Sequence, residues 1–138
     1  MSGETETPAS NEADEAAIAA CVRHFYAEAR GDARLGPMFE ATIDDWDAHL
    51  GIVVDFWSNA LLQTGRYKSF PYPVHVNLPI ELEDFDRWLA LFEAAAKATL
   101  PARLADQAIA RARHMTQSFR AGIFPFTDKQ GRPSRQPG

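Results

Sequence analysis

Between two long helical patterns lies Tyr67-Lys68-Ser69-Phe70-Pro71-Tyr72-Pro73-Val74-His75-Val76-Asn77-Leu78-Pro79, a stretch that can continue neither of them. Pro71 and Pro73 each lack an amide donor and push the residue before them toward extended backbone. Pro79 closes the segment. What results is a short, stiffened piece carrying one imidazole, His75, among apolar side chains. A neutral imidazole on a rigid backbone suits a metal ligand. An imidazole hydrogen-bonded inside a partly buried loop fits the same residues, and the segment alone leaves both readings open.

The flanking sequence is helical by periodicity. Asn11 is a good N-cap, followed by Glu12, Asp14 and Glu15 at the positive end of a helix dipole. Ile18, Cys21, Val22, Phe25, Tyr26 and Ala29 then recur at intervals of three and four, up to Gly31. Leu35-Gly36-Pro37-Met38-Phe39 reads as a short turn-like piece. A second helix is expected after Asp44 or Asp45, with Trp46, His49, Leu50, Val53, Phe56, Trp57, Ala60 and Leu61 on one stripe and Thr64-Gly65 as its stop. A third follows the acidic turn Glu81-Leu82-Glu83-Asp84 and aligns Phe85, Trp88, Leu89, Phe92, Ala95 and Ala96. Pro101 opens a fourth, with Leu104, Ala108, Ala112, Met115, Phe119 and Ile123 in line. No alternation long enough for a strand is present, so the fold class is all-α.

The third and fourth helices are joined by a few residues and should pack as antiparallel neighbours, with the first two as the other layer. Residues 1–12 and 127–138 hold little to bury and are expected to be a disordered N-terminal tail and a flexible C-terminal tail around a domain over 13–126. A formal net charge of −5 argues against a nucleic-acid surface. No apolar run approaches the roughly 20 residues that span a bilayer. The lone Cys21 excludes an internal disulfide and fits a reducing compartment. These features lead to the expectation of a soluble, cytoplasmic protein.

Several chemistries lack their residues. The chain has no phosphate-binding glycine loop. Its four histidines, His24, His49, His75 and His114, form no i,i+4 pair for zinc. No Glu-x-x-His pair is present for a di-iron bundle. Cys21 sits on a buried helix face, where a thiol is inert. What remains is His75, His49 inside an apolar stripe, and two hydrogen-bonding aromatics, Tyr26 and Trp88, whose polar atoms need partners once buried. Backbone carbonyls would satisfy them, and so would a guest molecule. Nine Phe and three Trp in a helical domain with one irregular wall invite a flat apolar guest.

Six pieces in order carry a family resemblance. They are Phe25-Tyr26, Leu35-Gly36-Pro37-Met38-Phe39, Asp45-Trp46-x-x-His49-Leu50 running to Phe56-Trp57, Tyr67-Lys68, His75-x-x-Leu78, and Phe85-x-Arg87-Trp88-Leu89-x-Leu91-Phe92. With them the chain resembles the truncated haemoglobins of the third group, short globins with a two-over-two helical sandwich around haem. Where that family has a Gly and a small polar residue before the proline, this chain has Ser69-Phe70.

The resemblance implies haem b, with His75 as the proximal iron ligand and Tyr26, His49 and Trp88 on the distal side. It implies binding of dioxygen, nitric oxide or another small diatomic ligand, and a reductase partner not named by the sequence. Two donors, Tyr26 and Trp88, would hold oxygen tightly, which suits redox chemistry on it: nitric oxide dioxygenation, or peroxide reduction with His49 moving protons. Phe25, Phe39, Val53, Trp57, Met115 and Phe119 are expected around the haem, with Arg66 and Lys68 near its propionates. A haem-free helical interaction or sensor module and a six-coordinate electron-transfer protein are the competing expectations.

Overall fold

The computed structural model describes residues 8–67 and 80–135, with side chains from Glu12 onward. His75 and Lys68 therefore lie outside the described residues, as do Ser69 and Phe70. Among the described residues five helices follow one another: α1 (Pro8–Arg30), α2 (Leu35–Thr42), α3 (Trp46–Leu62), α4 (Leu82–Thr99) and α5 (Ala102–Ile123). The all-α class is as expected, and two short strands, β1 (Phe126–Thr127) and β2 (Pro133–Ser134), add a small hairpin.

Local chemistry accounts for each boundary. Helix α1 starts at Pro8 rather than at Asn11, because a proline has no amide to leave unpaired in a first turn. It ends as the Gly31 and Asp32 amides turn back to the carbonyls of Glu28 and Ala29. The turn-like piece is in fact a helix. Pro37 falls in the first turn of α2, where it is tolerated, and the Asp32 carboxylate accepts the Arg34 and Leu35 amides ahead of it. Asp45 caps α3 by accepting the Ala48 amide at 3.1 Å. Gln63 ends that helix in the left-handed region at φ 58°, and Gly65 follows at φ 77°. Asp84 caps α4 by reaching back to the Glu81 amide at 2.9 Å.

Packing sorts the helices into two pairs. Helix α1 lies against α4 and α3, α5 lies against α4 and α3, and α2 leans on α1. The main core joins Ile18, Val22, Phe25 and Ala29 of α1 to Phe56 and Trp57 of α3, Phe92 and Ala95 of α4, and Leu104 and Ala108 of α5. Ala105, Ala108 and Ala112 make a small-residue row on α5 that lets its neighbours approach closely. A second, smaller core gathers Ile80, Phe85, Phe119 and Ile123, with Met38 and Phe124 beside it. Met115 packs against both.

The region from Thr127, expected as a flexible tail, instead turns back as the hairpin, with Gly131 in its turn at φ 83°. The Arg135 guanidinium then donates to the Ile80 carbonyl at 2.9 Å and lies over the Phe124 ring. Among the described residues, no helix is long and apolar enough to cross a membrane.

Candidate functional site

The two cores do not close on each other. Between them is a cavity lined by Tyr26, Met38, Phe39, Ile80, Phe85, Trp88 and Phe119, among others. The cavity proper measures ≈ 70 Å³, and ≈ 550 Å³ of empty space lies between its walls when the open mouth is included. Tyr26, Phe39 and Trp88 belong to the main core, whereas Ile80, Phe85 and Phe119 belong to the smaller one. The gap is thus a slot between two aromatic-rich walls.

A second, smaller void of ≈ 20 Å³ adjoins it, lined by Val22, Phe25, Tyr26, Val53, Trp57, Trp88 and Phe92. That is room for one water-sized molecule. Tyr26 and Trp88 line both spaces, so any guest passing between them meets a phenol and an indole.

The polar centre of the site is one hydrogen bond. The Tyr26 hydroxyl and His49 Nε2 are 2.9 Å apart, brought together from α1 and α3. Tyr26 is 9% exposed. Burial pushes its phenol well above the ordinary value, because a phenolate there would lose its hydration. The hydroxyl therefore keeps its proton at physiological pH and remains a donor. Around it the rings meet edge to face: Phe25 at 4.9 Å, His49 at 5.3 Å, Phe39 at 5.5 Å and Trp46 at 5.6 Å between centroids. Such pairs hold the phenol in one orientation.

Trp88 is fixed differently. Its ring stacks on Phe92 at 5.4 Å and 3° between planes, and Phe92 stacks on Trp57 at 4.7 Å and 18°. Phe25 closes the edge of Trp88 at 5.5 Å. The Trp57-Phe92-Trp88 column runs from the main core to the cavity wall.

Two crossed ion pairs tie the walls together. Arg34, ahead of α2, reaches Asp84 at the start of α4 at 2.9 Å. Arg87, on α4 beside Trp88, reaches Asp32 at 2.8 Å. Each carboxylate also caps a helix start, so one helix's cap is gripped by an arginine of the other side. Burial works to raise the Asp32 carboxyl, but hydrogen bonds from Arg87 and from the Leu35 and Arg34 amides hold it below its ordinary value.

The expected site residues divide as follows. Tyr26 and Trp88 come together with Phe25, Phe39, Val53 and Trp57 around the two spaces, and Phe119 lines the far wall; His49 lines neither space and joins them through its bond to Tyr26. Met115 sits between the two cores without lining either space. Arg66 is elsewhere. Its guanidinium grips both oxygens of Glu15 at 2.9 and 3.0 Å and Asp55 at 2.9 Å, tying α1 to α3. Met38, Ile80 and Phe85 were not among the expected site residues. Phe85 was visible on the α4 stripe, but nothing in a linear pattern assigns a stripe residue to a cavity rather than to a core. Among the described residues no group of three or more His, Cys, Asp or Glu could hold a metal ion.

No family model matches the chain. A curated protein of Campylobacter jejuni, "Group 3 truncated hemoglobin ctb", is 29% identical over 79% of this chain and 90% of its own length. The crystal structure of group III truncated hemoglobin from Campylobacter jejuni superposes with a TM-score of 0.74 at 29% identity, covering 90% of this chain and 96% of that one. In sequence and in fold alike, the chain resembles the group III truncated haemoglobins, and its architecture is the all-α, two-over-two truncated globin fold.

Proposed function

We propose that the protein binds haem b in the slot between its two cores and holds a small diatomic ligand, dioxygen or nitric oxide, beside Tyr26. The observation that carries this reading is the Tyr26–His49 hydrogen bond of 2.9 Å, set among aromatic rings at the junction of a large apolar slot and a ≈ 20 Å³ void. The fit of the residues to haem is favourable. A flat macrocycle needs apolar walls, and Phe39, Phe85, Phe119, Met38 and Ile80 supply them. His75, outside the described residues, is the residue that would hold the iron. Haem supplies an iron whose open position takes a diatomic ligand, tuned by the distal donors and by access.

This chain's part is to orient donors and exclude water. A hydroxyl carries one proton, so the Tyr26 O–H serves either His49 or the guest. When it turns to the guest, His49 Nε2–H can donate to the tyrosine oxygen in its place, which polarises the phenol further. The Trp88 indole N–H is the second donor available at the wall. A guest on which negative charge accumulates is stabilised by both, each bond contributing about 1.5–3 kcal/mol in a dry site. Tight retention suits nitric oxide dioxygenation or peroxide reduction, with His49 as the group that moves protons. Because His49 Nε2 is engaged by Tyr26, open-site ligand binding is favoured over a six-coordinate electron-transfer form.

The direct test is the optical spectrum of the purified protein beside His75→Ala, both supplied with haem. A Soret band in the wild type that is lost or strongly altered in the variant supports the assignment. Identical spectra would move the iron ligand to another residue. No haem uptake by the wild type would overturn the reading in favour of a haem-free helical module.

A further inference from the structure

Tyr26 has a second aromatic neighbour whose position ligand retention does not explain. Trp46, the first residue of α3, meets the Tyr26 ring edge to face at 5.6 Å and His49 at 6.1 Å. Unlike Tyr26 it is only half-buried. On its face lies the Arg30 guanidinium, 4.1 Å from the ring centre, with Glu40 held to Arg30 at 2.8 Å. The phenol that lines the cavity is therefore one ring contact away from an indole that reaches the surface.

We propose that Tyr26 and Trp46 form a two-residue electron relay, through which a small one-electron reductant in solution feeds hydroperoxide reduction in the cavity. This rests on the haem reading above and deepens its peroxide branch. Reduction of hydrogen peroxide takes up two electrons, delivered one at a time from Tyr26, and two protons drawn from solvent, matching the two that Trp46 releases, and yields two waters. Each electron leaves the Tyr26 ring as its hydroxyl proton passes to His49 Nε2, 2.9 Å away. The coupling is required because a buried ring cannot hold the extra positive charge. Trp46 returns an electron to Tyr26, the proton goes back from His49, and Trp46 releases its own indole proton to water. Arg30 over the ring favours that loss, since a cation on the face disfavours a second positive charge there. The reductant then restores the indole with one electron and one proton, and two reductant molecules are consumed per peroxide.

The relay makes a mark that can be read on the peptide chain. Without reductant, the electron-deficient indole of Trp46 traps dioxygen and gains oxygen on its ring. The experiment treats haem-loaded protein with hydrogen peroxide, with and without ascorbate, and maps oxygen addition by peptide mass spectrometry. Wild type, Tyr26→Phe, Trp46→Phe and Trp46→Tyr are compared, each first checked for its Soret band and helical circular dichroism. The expected result is oxygen on Trp46 in the wild type, its loss in Tyr26→Phe although Trp46 remains half-exposed, and its suppression by ascorbate. Trp46→Tyr should be modified at the same position, and Trp46→Phe should not. Equal marking of Trp46 in Tyr26→Phe would mean direct attack from solution and would overturn the relay. So would marking confined to Tyr67 or Trp88, or none at all, in a protein with an intact Soret band. Absence of a Soret band in the wild type would instead overturn the haem reading itself, and the relay with it.

Discussion

The Tyr26 hydroxyl and His49 Nε2 lie 2.9 Å apart, joining the two helices that flank the small void. Under the proposed reading His49 and the guest compete for the one Tyr26 proton, so the roles of the two residues separate by substitution. Tyr26 would donate to the guest directly, and His49 would act through the phenol. His49→Leu should therefore raise the rate of oxygen release less than Tyr26→Phe does, by under about tenfold, the scale of cooperative strengthening through a shared bond. Flash photolysis or stopped-flow mixing reads the ratio. An equal or larger effect in His49→Leu would place the histidine in direct contact with the ligand.

Trp88 should behave as the second donor. Its ring is clamped between Phe92 and Phe25, so Trp88→Phe keeps most of the stacking and removes the indole N–H. Oxygen release should accelerate by about tenfold or more, as expected for a charge-assisted bond. The melting temperature should move by only a few degrees. A large loss of stability with unchanged release would make Trp88 a packing residue.

Gly36 is a tight point of the fold. A methyl group there would sit 2.4 Å from the Arg30 carbonyl oxygen and 3.1 Å from its carbon, both backbone atoms that cannot swing away. Gly36→Ala should cost about 1–3 kcal/mol by pushing α2 off the end of α1. Because α2 carries Met38 and Phe39 to the cavity, haem retention should weaken in step. Denaturant unfolding and haem transfer to an apo-globin acceptor measure the two effects.

Acid should loosen the crossed ion pairs. Asp32 has its carboxyl held below its ordinary value when folded, so it stabilises the protein fully above the unfolded carboxylate value near 3.9. That contribution is lost as pH falls through the depressed folded value. Asp32→Ala should cost about 1 kcal/mol at neutral pH, the scale of a lost helix cap. The gap between variant and wild type should close as the pH drops below about 4. Urea titrations across this range decide it; a gap independent of pH would mean that the charge is not what stabilises.

The long helices were legible because their apolar stripes repeat over several turns, and Asp45 and Pro101 marked their starts. Helix α2 was not, since Gly36-Pro37 argues for a turn in any local reading. Only the close approach to the α1 carbonyl explains why glycine occupies that position. The site was legible in part. His49 stood out as a polar group inside an apolar stripe, but its pairing with Tyr26, 23 residues away, is a tertiary fact. Arg66 was expected near the haem propionates because it is a cation flanking the His75 segment, with a solvated surface role equally open. In the structure Glu15, 51 residues earlier, holds its guanidinium, and no local pattern announces such a partner. The hairpin after α5 was hidden for the opposite reason, its two strands being only two residues each.

Arg66 yields its own expectation. Its three bonds to Glu15 and Asp55 tie α1 to α3, and hydrogen bonding from Arg66 lowers the Glu15 carboxyl against the opposing effect of burial. Arg66→Met should lower stability by about 1 kcal/mol, as for a partly exposed pair. Haem affinity should be unchanged, and a marked drop would restore a propionate role.

The most direct measurement is the oxygen dissociation rate of haem-loaded Tyr26→Phe against wild type. The substitution removes one oxygen atom and keeps the ring contacts with Phe25, Phe39 and Trp46. Loss of a bond contributing about 1.5–3 kcal/mol predicts release roughly ten- to a hundredfold faster. An unchanged rate would contradict the account, because the phenol would then be a core group that happens to border a cavity.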